Sequence, residues 1–392
     1  MNVGGVEKSF LSLLSTIPKE KYDITLLLLN KKGGLLNQVP NWVSIEEVMW
    51  YERVKPVITQ PPQKTVIDYV KNREILKVSS FISTYFLSKK LNDRYIYYSH
   101  IFKDIPNYSK QFDVAIAYQG PTDIIDFYIA KKVNANKKIT WIHFDVEKHK
   151  INKKLYVKLH KQFNKVVVVS DGARNKLLNL FPNNKNKTVV FSNIISPKLI
   201  NKMSNEQIES DENFEGIKIV TVGRLSKEKG QDMAIKVLSK LKNDGFRVKW
   251  YCIGEGSARS DYEQLIKRYN LQQYFILLGT KINPYPYIRF ADIYVQPSRH
   301  EGFCLTLAEA KYLYKPIVTT NFTGVNEQID NGLNGLIVDG KVDELYEQVK
   351  YLIENPKRRE YLTNNLINGN MDSTPHEEVW KSFHNLYEEG AS

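Results

Sequence analysis

The run Ile217-Lys218-Ile219-Val220-Thr221-Val222-Gly223-Arg224-Leu225-Ser226-Lys227-Glu228-Lys229-Gly230 decides how this chain is read. Its first six residues are rich in β-branched side chains and predict a strand. The cationic, glycine-flanked loop after it leads into Met233, Ile235, Val237, Leu238 and Leu241, which carry the apolar spacing of a helix. Strand, loop and helix in that order build an open parallel sheet, where ligands bind beyond the carboxyl ends of strands and helix N-terminal amides offer an anion site. The loop is not a P-loop, because no Lys-Ser or Lys-Thr pair follows its glycines. A solvated turn with Ser226 as helix cap accounts for the same residues equally well.

The alternation continues in both directions. Apolar, β-rich runs at 23–29, 113–117, 138–141, 166–169 and 188–191 precede this unit, and runs at 248–253, 275–278, 293–295 and 316–319 follow it, with helical patterns between them. Two α/β domains with doubly wound, Rossmann-like parallel sheets are expected. The expected division is a first domain over 1–200, a polar connection over 201–216, a second domain over 217–372 and a C-terminal segment over 373–392. In the last segment, 375–387 reads as an amphipathic helix after a loop with Ser373 and Thr374. At the other end, Gly4 and Gly5 followed by Val6, Phe10, Leu13, Leu14 and Ile17 read as a strand-to-helix turn with too few residues before it for a strand. The natural chain is therefore expected to begin upstream of Met1.

Composition narrows the classes. The 392 residues are 42% hydrophobic and 25% charged, with only Cys252 and Cys304 as cysteines, too few for a disulfide framework or a zinc site. No apolar run approaches the ~18 residues of a membrane span, and no secretory pattern opens the chain, so a cytoplasmic location is expected. The net charge of +13 is uneven: residues 1–200 hold 32 Lys and Arg against 16 Asp and Glu. Such asymmetry suits a membrane surface, a nucleic acid or a phosphorylated substrate, or solubility alone. Residues 147–163 place Ile151, Leu155, Leu159 and Phe163 on one face and Lys148, Lys153, Lys154, Lys158 and Lys161 around the rest, with Lys131, Lys132, Lys137 and Lys138 nearby. That pattern reads either as a helix resting on anionic lipid or as a domain helix with its stripe in the core. The Tyr- and Lys-rich stretch 51–108 is the least predictable, and is where recognition of a binding partner is expected. No nucleic-acid motif accompanies the charge, so nucleic acid is not an expected partner.

Two further motifs follow the opening one. Gly254-Glu255-Gly256-Ser257-Ala258-Arg259 lacks the third glycine of a dinucleotide fingerprint, and the next strand ends in Gly279-Thr280 rather than an acid, which argues against a nicotinamide or flavin. Pro297-Ser298-Arg299-His300-Glu301-Gly302-Phe303-Cys304-Leu305-Thr306-Leu307-Ala308-Glu309-Ala310 then turns at Gly302. The turn would set the amides of Phe303, Cys304 and Leu305 at a helix N-terminus and Glu309 where it can accept from a vicinal diol. The same segment contains two S/T-x-x-E capping boxes, Ser298 to Glu301 and Thr306 to Glu309.

Taken in order, these three motifs resemble the group 1, or family 4, retaining glycosyltransferases, from Ile217 to about Asp339. The resemblance implies a GT-B fold, two Rossmann-like domains facing across a cleft, with donor held by the second and acceptor by the first. It assigns Arg224 and Lys229 to the donor diphosphate, Glu301 to the donor sugar, Glu309 to the ribose and 279–282, with Lys281 and Ile282, to the base. Gly223, Gly254, Gly302, Phe303, Cys304 and Leu305 complete the expected donor site. Cys304 stands where the family usually has glycine, which makes the wall beside the sugar bulkier. More loosely, Gly4-Gly5-Val6-Glu7 resembles the family's glycine loop near the donor, and Trp141-Ile142-His143-Phe144-Asp145 its strand-end histidine.

The resemblance further implies retention of configuration with Glu301 and His143 positioning the sugar. Arg224, Lys229 and the amides around Cys304 would stabilise the leaving diphosphate without a metal or other cofactor. A UDP-sugar is the expected donor, and a lipid-linked oligosaccharide or polysaccharide the expected acceptor, in bacterial capsule-like surface glycan synthesis. The basic first half would sit peripherally on the anionic inner face of the membrane. A sugar-nucleotide epimerase and a non-catalytic partner subunit of a transferase remain alternatives.

Overall fold

In the computed structural model, which describes residues 1, 4–147, 151–208, 214–369 and 376–388, the chain divides into two units. Met1, Pro18–Ser192 and Trp380–Ser392 form the first, and Asn2–Ile17 with Asn193–Val379 the second. Both ends of the chain thus group differently from the expected division. Within the expected connection, part of 201–216 belongs to a helix, Pro197–Ser204, which buries Ile200 in the second unit, and 209–213 lie outside the described residues.

The first unit contains β1 (Thr25–Leu28) and β2 (Ser44–Glu47), paired in parallel. Beside them in sequence, β3 (Gln111–Gly120), β4 (Asn134–Ile142), β5 (Lys165–Val168) and β6 (Thr188–Val190) form a four-stranded parallel sheet in that order. Val166, Val167 and Val168 are fully sequestered, as a strand covered on both faces requires. An aromatic cluster of Trp50, Tyr98, Phe102, Phe127 and Tyr128 fills one side of this core. The helix expected over 147–163 is shorter, Lys153–His160, and Lys148 lies outside the described residues. Leu155, Leu159 and Phe163 are buried in the core, so its apolar stripe is a packing face. Of the C-terminal helix, His376–Glu388, the part from Trp380 on belongs to this unit and buries Phe383 and Leu386, Phe383 meeting Phe191 edge-on. Pro375 and the loop with Ser373 and Thr374 lie outside the described residues.

The second unit contains β7 (Ile217–Val222), β8 (Val248–Ile253), β9 (Phe275–Leu277), β10 (Ile293–Gln296), β11 (Ile317–Thr320) and β12 (Leu336–Val338). All neighbours are parallel, in the order β12-β11-β10-β7-β8-β9. Read from the other edge this is the doubly wound 3-2-1-4-5-6 arrangement, in which strand order reverses between the first and fourth strands and opens a crevice at their carboxyl ends. Those strands are β7 and β10, so the loops beginning at Gly223 and Pro297 must lie side by side. Ile219, Trp250 and Val295 are fully buried beneath the helix Gln231–Asn243, whose Met233, Ile235, Val237, Leu238 and Leu241 seal one face. The helix Gly5–Leu14 belongs to this unit, where Ser9 donates to Asn193 at 2.7 Å, and no strand precedes it among the described residues. Among the described residues, no helix is long and apolar enough to cross a membrane.

Candidate active site

At the carboxyl edge of β7 and β10 the two loops are stapled together. Gly230 has φ +72°, and a Cβ there would lie 1.8 Å from the Pro297 carbonyl oxygen, so only glycine permits this approach. The Arg299 guanidinium donates to both oxygens of Asp232 at 2.7 Å, and its amide to the Glu228 carbonyl at 2.7 Å. Between the loops, Lys229 Nζ donates to Glu301 Oε1 at 2.6 Å and Oε2 at 2.7 Å. Burial alone would lower the Lys229 pKa, but the attraction of Glu301 outweighs it and the pKa is raised. Lys229 therefore stays charged at neutral pH.

Glu301 is held from behind as well. Ser298 donates to Glu301 Oε1 at 2.8 Å, Gln296 Nε2 donates to Ser298 Oγ at 2.8 Å, and Tyr294 and Thr306 donate to Gln296 Oε1 at 2.6 and 3.3 Å. Tyr294, Gln296 and Ser298 are 1% exposed or less. A fully connected buried network of this kind fixes a side chain's direction. The capping-box readings are corrected here: the helix starts at Leu305 with Cys304 at its N-cap and no side-chain cap, while Ser298 and Thr306 serve the network. Ser226, likewise, makes no cap hydrogen bond, and its hydroxyl is buried without a protein partner.

Cys304 adopts φ +62°, the left-handed conformation that glycine tolerates best, so this backbone turn accommodates either residue. Its thiol is buried, and burial together with Glu301 raises its pKa strongly, leaving a neutral wall rather than a nucleophile. The amides of Phe303, Cys304 and Leu305 find no backbone acceptor among the described residues and sit at the start of the helix Leu305–Tyr312, where its dipole favours an anion. Gly302 is buried at the turn before them. Arg224 is exposed beside Gly223, with no ion-pair partner among the described residues. Its carbonyl, not its guanidinium, is engaged, by Gln231 Nε2 at 2.9 Å.

Glu309 lies on the first turns of the same helix and is 2% exposed. Tyr285 donates to its Oε1 at 2.8 Å and Lys8 approaches the same oxygen at 3.4 Å, whereas Oε2 is buried without a partner among the described residues. One oxygen is thus committed to the protein and one remains. Lys8 and Tyr285 have no local signal that would have pointed to them. Gly4 is the N-cap of the helix that carries Lys8, and Gly5 has open space where a side chain would project. Gly254 packs its Cα side against the Gly223 carbonyl, and its amide donates to Gly279 at 2.9 Å, which aligns the ends of β7, β8 and β9. In the loop after β9, Lys281 lies over the Tyr287 ring at 5.7 Å and Ile282 is exposed.

His143 belongs to the first unit, where it leaves the carboxyl end of β4 with its amide bonded to the Gly120 carbonyl at 3.0 Å. The ring stacks beside Trp141 and meets Tyr118, and neither ring nitrogen has a hydrogen bond of ordinary geometry. Burial drives its pKa down to about 3, against a smaller opposing effect of the Tyr118 backbone, so the imidazole is neutral at pH 7.

Comparison with known proteins agrees with this geometry. Residues 203–368 match the family of glycosyl transferases group 1. The chain is 28% identical over 216 residues to the N-acetylgalactosamine-N,N'-diacetylbacillosaminyl-diphospho-undecaprenol 4-alpha-N-acetylgalactosaminyltransferase of Campylobacter jejuni, covering 55% of this chain and 57% of that one. It is 27% identical over 238 residues to the capsular polysaccharide biosynthesis glycosyltransferase CapM of Staphylococcus aureus, covering 57% of this chain and 60% of that one. These matches span 57% and 60% of the two relatives' lengths. Among solved structures, Anabaena HepE in complex with UDP and glucose superposes with a TM-score of 0.69 at 16% identity, over 97% of this chain and 95% of that one. That likeness establishes the fold class, GT-B, with two Rossmann-like units.

Proposed function

Since its second unit belongs to the glycosyl transferases group 1 family, we propose that this chain transfers a hexose from a UDP-sugar to a lipid-linked or polysaccharide acceptor, with retention and without a metal. The observation that carries the reading is the Lys229–Glu301 pair, backed by Ser298 and flanked by the open Arg224, at the switch point of a 3-2-1-4-5-6 sheet. That HepE binds UDP on the same fold supports the nucleotide. The diphospho-undecaprenol in the Campylobacter relative's name and the capsular role of CapM support the acceptor class.

In this mechanism the bond between the anomeric carbon and the diphosphate breaks with its electron pair leaving on the phosphate oxygen. Arg224, Lys229 and the amides of Phe303, Cys304 and Leu305 stabilise that charge, and preorganised donors of this kind lower a barrier most when they need not reorganise. The acceptor oxygen bonds the anomeric carbon from the face the diphosphate leaves, and its proton passes to the departing phosphate. Glu301, locked by Lys229 and Ser298, orients sugar hydroxyls and does not attack. Glu309 takes one ribose hydroxyl on Oε2, because Tyr285 and Lys8 already occupy Oε1. His143, as a neutral imidazole, positions the sugar by hydrogen bonding.

A thermal-shift screen of UDP, UDP-sugars and GDP-sugars tests this, since a ligand at ~100 times its Kd stabilises by about 2.7 kcal/mol. The reading predicts a shift with UDP-sugars that Glu309→Gln diminishes. A shift with GDP-sugars alone would overturn the UDP assignment, and no shift with any nucleotide would overturn the donor site.

A further inference from the structure

We infer that the paired helices Pro62–Lys71 and Ile75–Leu91 of the first unit form a docking face for an anionic lipid surface. Of the long helix, Phe81 and Ser88 face the core. The opposite side carries two apolar rows, Ile75, Ile82 and Phe86, then Leu76, Leu87 and Leu91 about 100° further round, with Lys90 between them. Leu76 is 90% exposed, Ile75 68% and Phe86 64%. On the neighbouring helix Ile67 and Val70 are also exposed. Six large exposed apolar side chains on one helix, in rows separated by Ser79, Ser83 and Lys90, mark an interaction site.

Charge selects the occupant. Residues 62–91 hold six Lys and Arg against two Asp and Glu, and both acids are engaged: Asp68 accepts from Gln60 at 3.0 Å and Glu74 pairs with Lys77 at 2.7 Å. Lys64, Lys71, Arg73 and Lys90 have no ion-pair partner among the described residues. A face that is apolar and uncompensated in positive charge complements a negatively charged bilayer surface, into which apolar side chains insert while lysines reach headgroups. Two copies of it would repel each other. The lysine-bearing helix Lys153–His160 is less suited, because its apolar stripe is buried and Lys154 and Lys158 are bound to the Leu91 carbonyl and Asp93, both at 2.6 Å.

The placement also links the face to the first unit's sheet edge. The last turn of the long helix is tied to the segment that follows β4 and His143: Asn152 donates to the Asn92 carbonyl at 3.1 Å, Lys154 to that of Leu91, and the Arg94 amide to Asn152 at 3.3 Å. A lipid-borne acceptor would therefore be presented next to the carboxyl edge of the first sheet. The inference goes beyond the donor assignment and does not need it.

The test is flotation of the full chain with vesicles of phosphatidylcholine, with and without phosphatidylglycerol. Wild type should float only with the anionic vesicles, and Leu76→Asp with Phe86→Asp should abolish it. Lys71→Gln with Lys90→Gln should lower partitioning on the order of 30-fold, about five-fold for each lysine, and high salt should do the same. Lys153→Gln with Lys161→Gln should leave it unchanged. The UDP-dependent thermal shift, measured on each variant, separates failure of this face from failure of the donor site. Undiminished flotation of the folded Leu76/Phe86 variant, or of the Lys71/Lys90 variant, would overturn the inference. So would a wild type that ignores both vesicles but forms a concentration-dependent dimer that these substitutions break.

Discussion

Removing the Lys229 ammonium while leaving Glu301 should cost the second unit much of its stability. Breaking a buried ion pair from one side costs about 3–5 kcal/mol, because the surviving charge is left without compensation. Here the Lys229 side chain is 25% exposed and that of Glu301 8%, so water reaches the orphaned carboxylate and the lower end, about 3 kcal/mol, is expected for Lys229→Met. Glu301→Gln keeps the Ser298 hydrogen bond and leaves a partly solvated cation, so about 1–2 kcal/mol is expected. The double variant removes both charges and should lose less than the two singles summed, with a coupling of about 2 kcal/mol. The assay is urea unfolding by circular dichroism at pH 7.5, following the transition that UDP shifts, since that transition belongs to the second unit. The raised Lys229 pKa sets the pH window: the pair's contribution is complete below the unfolded lysine pKa and is lost only as pH rises through the higher folded value. A coupling below about 0.5 kcal/mol would refute the claim that the two charges act as one buried unit.

Three further outcomes are expected. Gly230→Ala should destabilise the second unit by more than the ~1 kcal/mol that an unstrained glycine-to-alanine replacement would gain and abolish the UDP-induced thermal shift, because its Cβ collides with the Pro297 carbonyl; a retained shift would show that the loops separate freely. His143, with its pKa near 3, should show no titration of its ring proton resonances between pH 7.5 and 5. Its folded value is depressed, so its contribution is intact above the unfolded value and drains away as pH falls below it, on the order of 2 kcal/mol by pH 5; a midpoint near 6.5 would contradict its burial. Cys252 and Cys304 are both buried, with the Cys252 pKa pushed up to about 12, so neither thiol should react with a disulfide reagent at pH 8 until urea is added; rapid labelling of the native chain would overturn this.

Most of the sheet architecture was legible because strands buried on both faces carry unbroken apolar runs. β7 and β8 have the bounds the sequence suggests, and β10 differs by one residue at its end. β2 escaped because Ser44–Glu47 carries two glutamates, one of which, Glu46, is satisfied by Lys110 at 2.6 Å from far along the chain. β12 is only three residues long. At the site, the family resemblance assigned Lys229 to the diphosphate and Glu301 to the sugar without linking them, and the fold makes them neighbours in space. What the sequence could not reveal are partners that meet only through topology. Tyr285 reaches Glu309 across 24 positions and Arg299 reaches Asp232 across 67. The two capping boxes show the converse: local spacing was correct for a cap, yet the helix begins at Leu305 after the positive φ of Cys304, too late for Ser298 to cap it and too early for Thr306, and both side chains serve the buried network. Likewise, the lysine spacing of 147–163 was readable, but only packing shows that its apolar stripe belongs to the core.

In the proposed reaction this chain's own cations stabilise the leaving diphosphate. Turnover of a UDP-sugar by wild type and Arg224→Ala, each with EDTA, tests it most directly. The account predicts wild-type turnover unchanged by EDTA and a loss on the order of 100- to 1,000-fold in kcat for Arg224→Ala. Unchanged turnover in that variant, or loss of wild-type turnover on chelation, would contradict it.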